Sequence, residues 1–484
     1  MSKLRPYHAF EIEGNNYVYS VWGMSYRRVS AQTIEELARA RDGEAAELGP
    51  ETLETITELG LRWSDKVRCE ADLEERDRRT VAMAREKPVT VNQAALFVAQ
   101  ECNMRCPYCY GDGGGYGGGG AMSEGTAFRA VDWLIEQAGD SKEVWISFFG
   151  GEPLLNFALM EKVVAYARER VGASRKLEFG VTTNLSLLDD RILDFLVANK
   201  LTVLASFDGP RHIQNRNRPL KNGQDSYDAV APKLRKLLAA LPDAIGRSTL
   251  AAGDDPWEVL RELLALGFRQ VLVEAPSGCL IAGGGAASGC GGPEPGPHEA
   301  LIDLHRDIAS RFRQAVARHD ADEVRALSRL RNVETHFRSF LGGNDLLRAL
   351  TERRRYFFCG RTMRMVAIAA NGDIYPCHRF VGAQAFRMGN VHTGEFRRGE
   401  LLRSPLVENP ECASCWARYL CGGNCQHDNA AATGDPLRPD PRSCADRRAR
   451  IECAIHAVDC LTAQDRCWLA ELGIMEEQKC TVDF

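Results

Sequence analysis

Residues 101–120 read ECNMRCPYCYGDGGGYGGGG, with three cysteines in eight positions and then eight glycines in ten. The spacing C-x3-C-x2-C, at Cys102, Cys106 and Cys109, follows directly on AALFVAQ from Ala94, which reads as a strand. Three thiols placed just past a strand end can converge in one loop. Residues 95–125 hold no further cysteine and no histidine, so a tetrahedral zinc site would lack its fourth ligand. Three thiolates do satisfy three irons of a cubane [4Fe-4S] cluster, leaving one iron open. The glycine run, Gly111 to Gly120, cannot pack a core and reads as a mobile loop, able to close over a bound substrate and exclude water.

Outward from this loop, strand-like runs alternate with helical ones. After AALFVAQ come EVWISFF from Glu143, KLEFGVTT from Lys176, LTVLASF from Leu201, GRSTLAA from Gly246 and RQVLVEA from Arg269. Between them lie amphipathic segments such as SEGTAFRAVDWLIEQAG, where Phe128, Val131, Leu134 and Ile135 recur at helical spacing and Ser123 can cap the start. Strands joined by crossover helices make a parallel sheet. Six such units predict an α/β fold, a partial (βα)6 barrel, whose functional groups gather at the C-terminal strand ends.

The barrel is expected over residues 89–290. Residues 1–88 precede it as a small α+β unit and linker, with HAFEIEG and NYVYSVWG as a hairpin and AQTIEELARARDG and ETLETITELG as helices. Such a unit either packs on its neighbour or takes up a peptide by strand addition. The breaker GGGAASGCGGPEPGP leads into a charged helical linker, 291–355. Residues 356–450 are cysteine-rich and short of regular periodicity, as expected of a domain organised around metal, and 451–484 form a helical tail ending near Gly473.

Composition narrows the class. The chain has 484 residues, 26% charged and 44% hydrophobic, with a formal charge of -5 that argues against nucleic acid as a partner. No apolar run approaches the ~20 residues of a membrane span, and the N-terminus lacks the apolar core of a signal peptide. A cytoplasmic protein is expected, without a membrane partner. Seventeen cysteines in a reducing compartment point to metal or redox sites rather than disulfides.

The triplet, with Tyr108 ahead of its third cysteine, resembles the signature of radical S-adenosylmethionine (SAM) enzymes. In that family SAM chelates the open iron, and its reductive cleavage yields a 5'-deoxyadenosyl radical. The second strand ends in Gly150, Gly151, Glu152 and Pro153, which resembles the family's GGEP motif for the SAM amino group. Glycines let backbone carbonyls approach an ammonium, and Glu152 adds an acceptor. Asn184 and Ser206, at the next two strand ends, resemble polar residues near the SAM ribose, and each could equally be a turn former. Arg247 resembles an arginine that meets the SAM carboxylate in some members, or is a surface arginine.

The C-terminal cysteines run Cys359, then Gly372 and Cys377, then CASCWARYLCGGNC, then Cys444. This spacing resembles the SPASM domain of radical SAM peptide maturases. The resemblance implies two auxiliary [4Fe-4S] clusters, making three in all: one on Cys412, Cys415, Cys421 and Cys444, the other on Cys359, Cys377 and Cys425. Where some relatives place a further cysteine, this chain has Arg353. The second cluster would be open to substrate, or completed by Cys279, Cys290 or a cysteine of the tail. A pair of zinc ribbons is the structural alternative. After Cys377 stands His378, where sulfatase-maturing relatives carry an aspartate that accepts a substrate proton; His378 could do likewise or be a satisfied polar residue.

The stretches DGPRHIQNRNRP and GQDSYDAV resemble maturases that form thioether links in ribosomally made peptides, including the six-cysteine peptide and quinohemoprotein amine dehydrogenase types. The implied function is modification of a cysteine-bearing peptide or small protein, by a bond from cysteine sulfur to carbon. An electron donor such as flavodoxin or ferredoxin would feed it. Carbon-carbon or carbon-oxygen crosslinking and formylglycine formation are the enzymatic alternatives, and a zinc-rich interaction module the non-enzymatic one.

Overall fold

A computed structural model describes residues 4–42, 47–63, 69–86, 90–172, 175–281, 297–328, 354–357, 359, 364–397 and 404–474. The N-terminal unit is a three-stranded antiparallel sheet, β1 (Tyr7–Ile12), β2 (Asn15–Ser20) and β3 (Ser25–Val29), followed by α1 (Ala31–Asp42) and α2 (Pro50–Glu58). The β1–β2 turn is two residues, Glu13 and Gly14, both at positive φ, which matches the twist of a tight hairpin. The third strand was not expected, because RRV reads as polar. Arg27 instead reaches across to Glu54 and Glu58 of α2, at 2.6 and 2.5 Å.

After α3 (Glu70–Glu86) the expected parallel sheet follows. Its strands are β4 (Gln93–Gln100), β6 (Glu143–Gly150), β7 (Lys176–Thr183), β8 (Thr202–Ser206), β9 (Ile245–Thr249) and β10 (Gln270–Glu274), adjacent in that order, with the short β5 (Gly120–Ala121) pairing on β4. Alternation decides which side chain goes where. On β6, Val144, Ile146 and Phe148 join the core with Trp133, Leu134 and Met160 of the covering helices, while Ser147 and Phe149 face the barrel interior. The covering helix Glu124–Ala138 starts where Ser123 accepts from the Thr126 N–H at 3.1 Å.

The sheet does not stop at β4. β11 (Met365–Ile368), from the cysteine-rich region, pairs with β4 in parallel, and β12 (Asp373–Tyr375) and β13 (Gly389–Asn390) continue it antiparallel. Four buried residues, MVAI, are too short a run to declare a period. The helix Pro441–Asp459 also runs through the expected 450/451 boundary, because its Asp440 cap and apolar face belong to one element. It packs along the helix Pro297–Ala317 and holds the N-terminal sheet. Tyr17 lies 2.9 Å from His456, His8 lies 2.8 Å from Glu452, and the His8 ring stacks on Trp416 at 3.9 Å. The 290/291 boundary, most of the breaker, Cys290 and Arg353 lie outside the described residues. Among the described residues no helix is long and apolar enough to cross a membrane.

Candidate functional site

Cys102, Cys106 and Cys109 occupy the loop that leaves β4, and that loop is held on two sides. The Arg105 N–H donates to the Pro219 carbonyl at 2.9 Å and the Lys221 N–H to the Asn103 carbonyl at 2.8 Å. From the end of β7, the Asn184 amide donates to Asn103 Oδ1 at 3.0 Å, with the Cys102 sulfur 3.8 Å from the same nitrogen. Burial pushes the Cys102 thiol up to about 11 and that of Cys106 to about 12. Burial also raises Cys109, opposed by the N–H groups of Gly111, Gly113 and Gly114.

The glycine run is therefore not the mobile loop expected from its composition. It is folded back on itself by backbone hydrogen bonds such as Tyr116 N to Gly111 O at 3.0 Å. Tyr116 is 4% exposed, meets Phe97 edge-on and donates to the Gly150 carbonyl at 3.2 Å. Gly114, at φ +91°, needs its missing Cβ, which would stand 2.7 Å from both the Cys102 Cβ and the Gly151 Cα. Counting glycines as freedom missed the aromatic anchor inside the run.

At the end of β6, Gly151 donates to the Ala99 carbonyl at 2.8 Å and Glu152 to the Glu101 carbonyl at 2.7 Å, which brings the GGEP turn hard against the cysteine loop. The Glu152 carboxylate is 1% exposed and accepts from Leu154 N, Thr183 Oγ1 and Asn184 N at 3.1, 2.7 and 2.7 Å. Burial lifts it to about 7. Its acceptors thus brace β6 to β7. Pro153 opens the short helix Pro153–Asn156 that follows. Glu152→Gln puts an N–H against these donors, so it should lower stability by about 1–3 kcal/mol, read as a lower urea midpoint at unchanged slope.

A cavity of about 410 Å³ lies between the barrel interior and the C-terminal region. Phe149, Thr182 and Arg247 line it from the barrel, and Cys377, His378 and Cys425 from the other side. The His378 ring is 4.7 Å from that of Phe149. Ser206 is half-buried at the end of β8. Sequence reasoning missed the ion network around this cavity. Arg247 binds Glu274 at 2.8 Å, Arg379 binds both Asp428 oxygens at 2.8 and 2.9 Å, and His427 Nδ1 is 3.2 Å from Asp428. Arg379 and Arg247 hold Glu274 below the usual carboxylate range against burial. Its only sequence signal was a clustering of charge beside cysteines.

Several of the C-terminal cysteines singled out by spacing lie beside one another. Cys412 is raised to about 12 by burial and by the neighbouring Cys421, Cys444 and Cys415. Cys377 is raised to about 11, chiefly by burial, with Cys359 beside it, and Cys425 is raised by burial with Cys377 beside it. Among the described residues no three His, Cys, Asp or Glu side chains converge on a single-ion site. Cys279 is half-buried two residues beyond Ser277, which accepts from Arg379. All-sulfur donors in buried groups, with a glycine cradle closed around Cys102 and Cys109, suit iron-sulfur groups.

The comparisons agree with this architecture. Residues 96–271 match the family model described as the radical SAM superfamily. An uncharacterized protein of Methanocaldococcus jannaschii is 34% identical over 131 residues, 27% of this chain and 43% of that one. A cysteine-type anaerobic sulfatase-maturating enzyme of Clostridium perfringens is 30% identical over 134 residues, 27% of this chain and 36% of that one. These matches span less than half of either relative. The solved structure of native anSMEcpe with bound AdoMet and Cp18Cys peptide is alike in fold, with a TM-score of 0.58 at 18% identity, covering 76% of this chain and 98% of that one. Over residues 96–271 this chain is thus similar to the radical SAM superfamily.

Proposed function

We propose that the chain is a radical SAM peptide maturase that joins a cysteine sulfur of its substrate to a carbon. The observation that carries this reading is the cavity walled on one side by the barrel and on the other by Cys359, Cys377 and Cys425. When bound, a [4Fe-4S] cluster and SAM together supply a radical that takes hydrogen from an unreactive carbon. Cys102, Cys106 and Cys109 would hold that cluster, with the GGEP backbone, Asn184, Ser206 and Arg247 around SAM. Cys412, Cys415, Cys421 and Cys444 would hold one auxiliary cluster and Cys359, Cys377 and Cys425 another.

The chain's own part is to position the substrate and exclude water. Phe149, Phe380 and Tyr110 surround His378 and His427 with aromatic faces, and the ion pairs fix the polar wall. His378, on this wall, would accept the substrate proton. The N-terminal unit presents β3 as a sheet edge, since β1 packs against the helix Pro441–Asp459, and a peptide segment would add there. We assign 1–88 to this unit, 89–290 to the barrel, 291–355 to a linker and the region from 356 to the SPASM domain, which the helix Pro441–Asp459 joins to the tail without a break. The setting would be the cytoplasm, with flavodoxin or ferredoxin as reductant.

The test is the product formed on a cysteine-bearing peptide encoded by a neighbouring reading frame. A thioether made from a thiol and a C–H bond removes two hydrogens and one alkylatable cysteine together, and reduction restores neither. Mass spectrometry after reduction and alkylation should show both losses. Loss of two hydrogens with every cysteine still alkylatable would favour a carbon-carbon or carbon-oxygen crosslink. The likeness to a sulfatase-maturating enzyme favours a second reading, oxidation to formylglycine, for which a hydrazide-reactive aldehyde would be the product.

A further inference from the structure

Tyr108, between the second and third cysteines, is buried against a charged pair. Its hydroxyl donates to Asp208 Oδ2. Asp208 Oδ1 accepts from the Thr249 N–H and lies near Arg218 Nε, both at 3.0 Å. The guanidinium stands 5.5 Å over the Tyr108 ring. Asp208 is fully buried and Arg218 is 8% exposed. Beyond Arg218 the chain runs along the cysteine loop: Pro219 accepts from Arg105, Leu220 bridges Met104, and Lys221 donates to Asn103.

That backbone ladder and the Tyr108 hydroxyl already hold the loop. A buried ion pair adds little stability that apolar packing would not supply. What it does add is a guanidinium that never loses its charge, in a medium that screens weakly. The Arg218 guanidinium stands over the ring of the residue between Cys106 and Cys109, on the segment that ladders onto residues 103–105, so its charge lies beside the triplet loop.

We propose that Arg218 is a positioning residue of electrostatic kind, whose fixed charge makes the cluster held by Cys102, Cys106 and Cys109 easier to reduce, while Asp208 sets how much of that charge is felt. This rests on the triplet holding a cluster. Reduction adds negative charge to the cluster, so a nearby cation stabilises the reduced state and raises its potential.

The test uses anaerobically reconstituted full-length enzyme. The triplet cluster is identified as the paramagnetic signal of the reduced protein that changes when SAM is added. Arg218→Gln should make its one-electron reduction about tenfold less favourable, a shift of 59 mV to more negative potential. Arg218→Lys, which keeps the charge, should stay near wild type. Asp208→Asn, which uncovers the arginine, should move the potential the opposite way. No shift, equal shifts in the two Arg218 variants, or Asp208→Asn moving with Arg218→Gln would overturn the proposal. If Arg218→Gln holds no cluster, the sign of the Asp208→Asn shift decides. Wild-type enzyme with no SAM-responsive signal would instead refute the cluster reading on which the proposal stands.

Discussion

Enzyme with alanine at Cys102, Cys106 and Cys109 should make no 5'-deoxyadenosine from SAM under reducing, anaerobic conditions. The three thiols stand where the ends of β4, β6 and β7 meet, each of the two neighbouring strand ends being hydrogen-bonded into their loop. Cys412, Cys415, Cys421 and Cys444 neighbour one another instead. Alanine at Cys412 and Cys415 should therefore remove iron and stop substrate modification, while some SAM cleavage unlinked to product persists. Chromatography of the nucleoside products together with an iron assay reads both variants. Undiminished 5'-deoxyadenosine from the triple variant would end the assignment of the triplet, and unchanged iron in the double variant would end that of the second group.

A change of one methyl group at Gly151 should be nearly as damaging. A Cβ there would overlap the Glu101 carbonyl and stand 2.9 Å from the Cys102 N–H, so the contact is with backbone that has no rotamer to change. The β6 turn must then move away from the cysteine loop, breaking the bonds from Gly151 to Ala99 and from Glu152 to Glu101. Overpacking of this kind costs about 1–3 kcal/mol, and displacement of a reacting geometry by about 1 Å can cost ~100-fold in rate. Gly151→Ala should lose roughly that factor in SAM cleavage, with a lower unfolding midpoint and the iron of the C-terminal groups retained. Gly125→Ala is the control, since a Cβ there meets nothing within 4 Å. Equal activity in the two variants would mean that the turn does not approach the loop as described.

What could be read in advance followed from how local the signal was. The six barrel strands are runs of apolar and β-branched residues long enough to show themselves, and the triplet falls within eight residues of one loop. The grouping of the C-terminal thiols came only from their resemblance to SPASM domains. Strand β3 was hidden because its arginines look solvent-facing until α2 supplies Glu54 and Glu58. The role of Tyr116 was hidden by its neighbours, since a composition made of glycine says nothing about where one aromatic ring goes. Glu152 was legible as an acceptor, but its donors Thr183 and Asn184 sit on another strand. The buried pairs Asp208–Arg218 and Arg379–Asp428 are long-range in the same sense, and charge alone does not announce burial.

The parallel pairing of β11 on β4 bears on when, as well as how, the molecule becomes complete. Met365 lies opposite Gln93 and Ile368 opposite Leu96, so the strand that leads into the cysteine loop has one neighbour made soon after it and another made much later in the chain. Until the later one emerges from the ribosome, β4 is an unprotected edge with free backbone groups, the kind of surface that invites mispairing between nascent chains. Closing so distant a contact is also slow, since a long stretch of chain must be brought back upon itself first. The loop beside β4 therefore acquires this wall long after its own strand is made, and a chain interrupted before Met365 lacks it however intact its six barrel strands are.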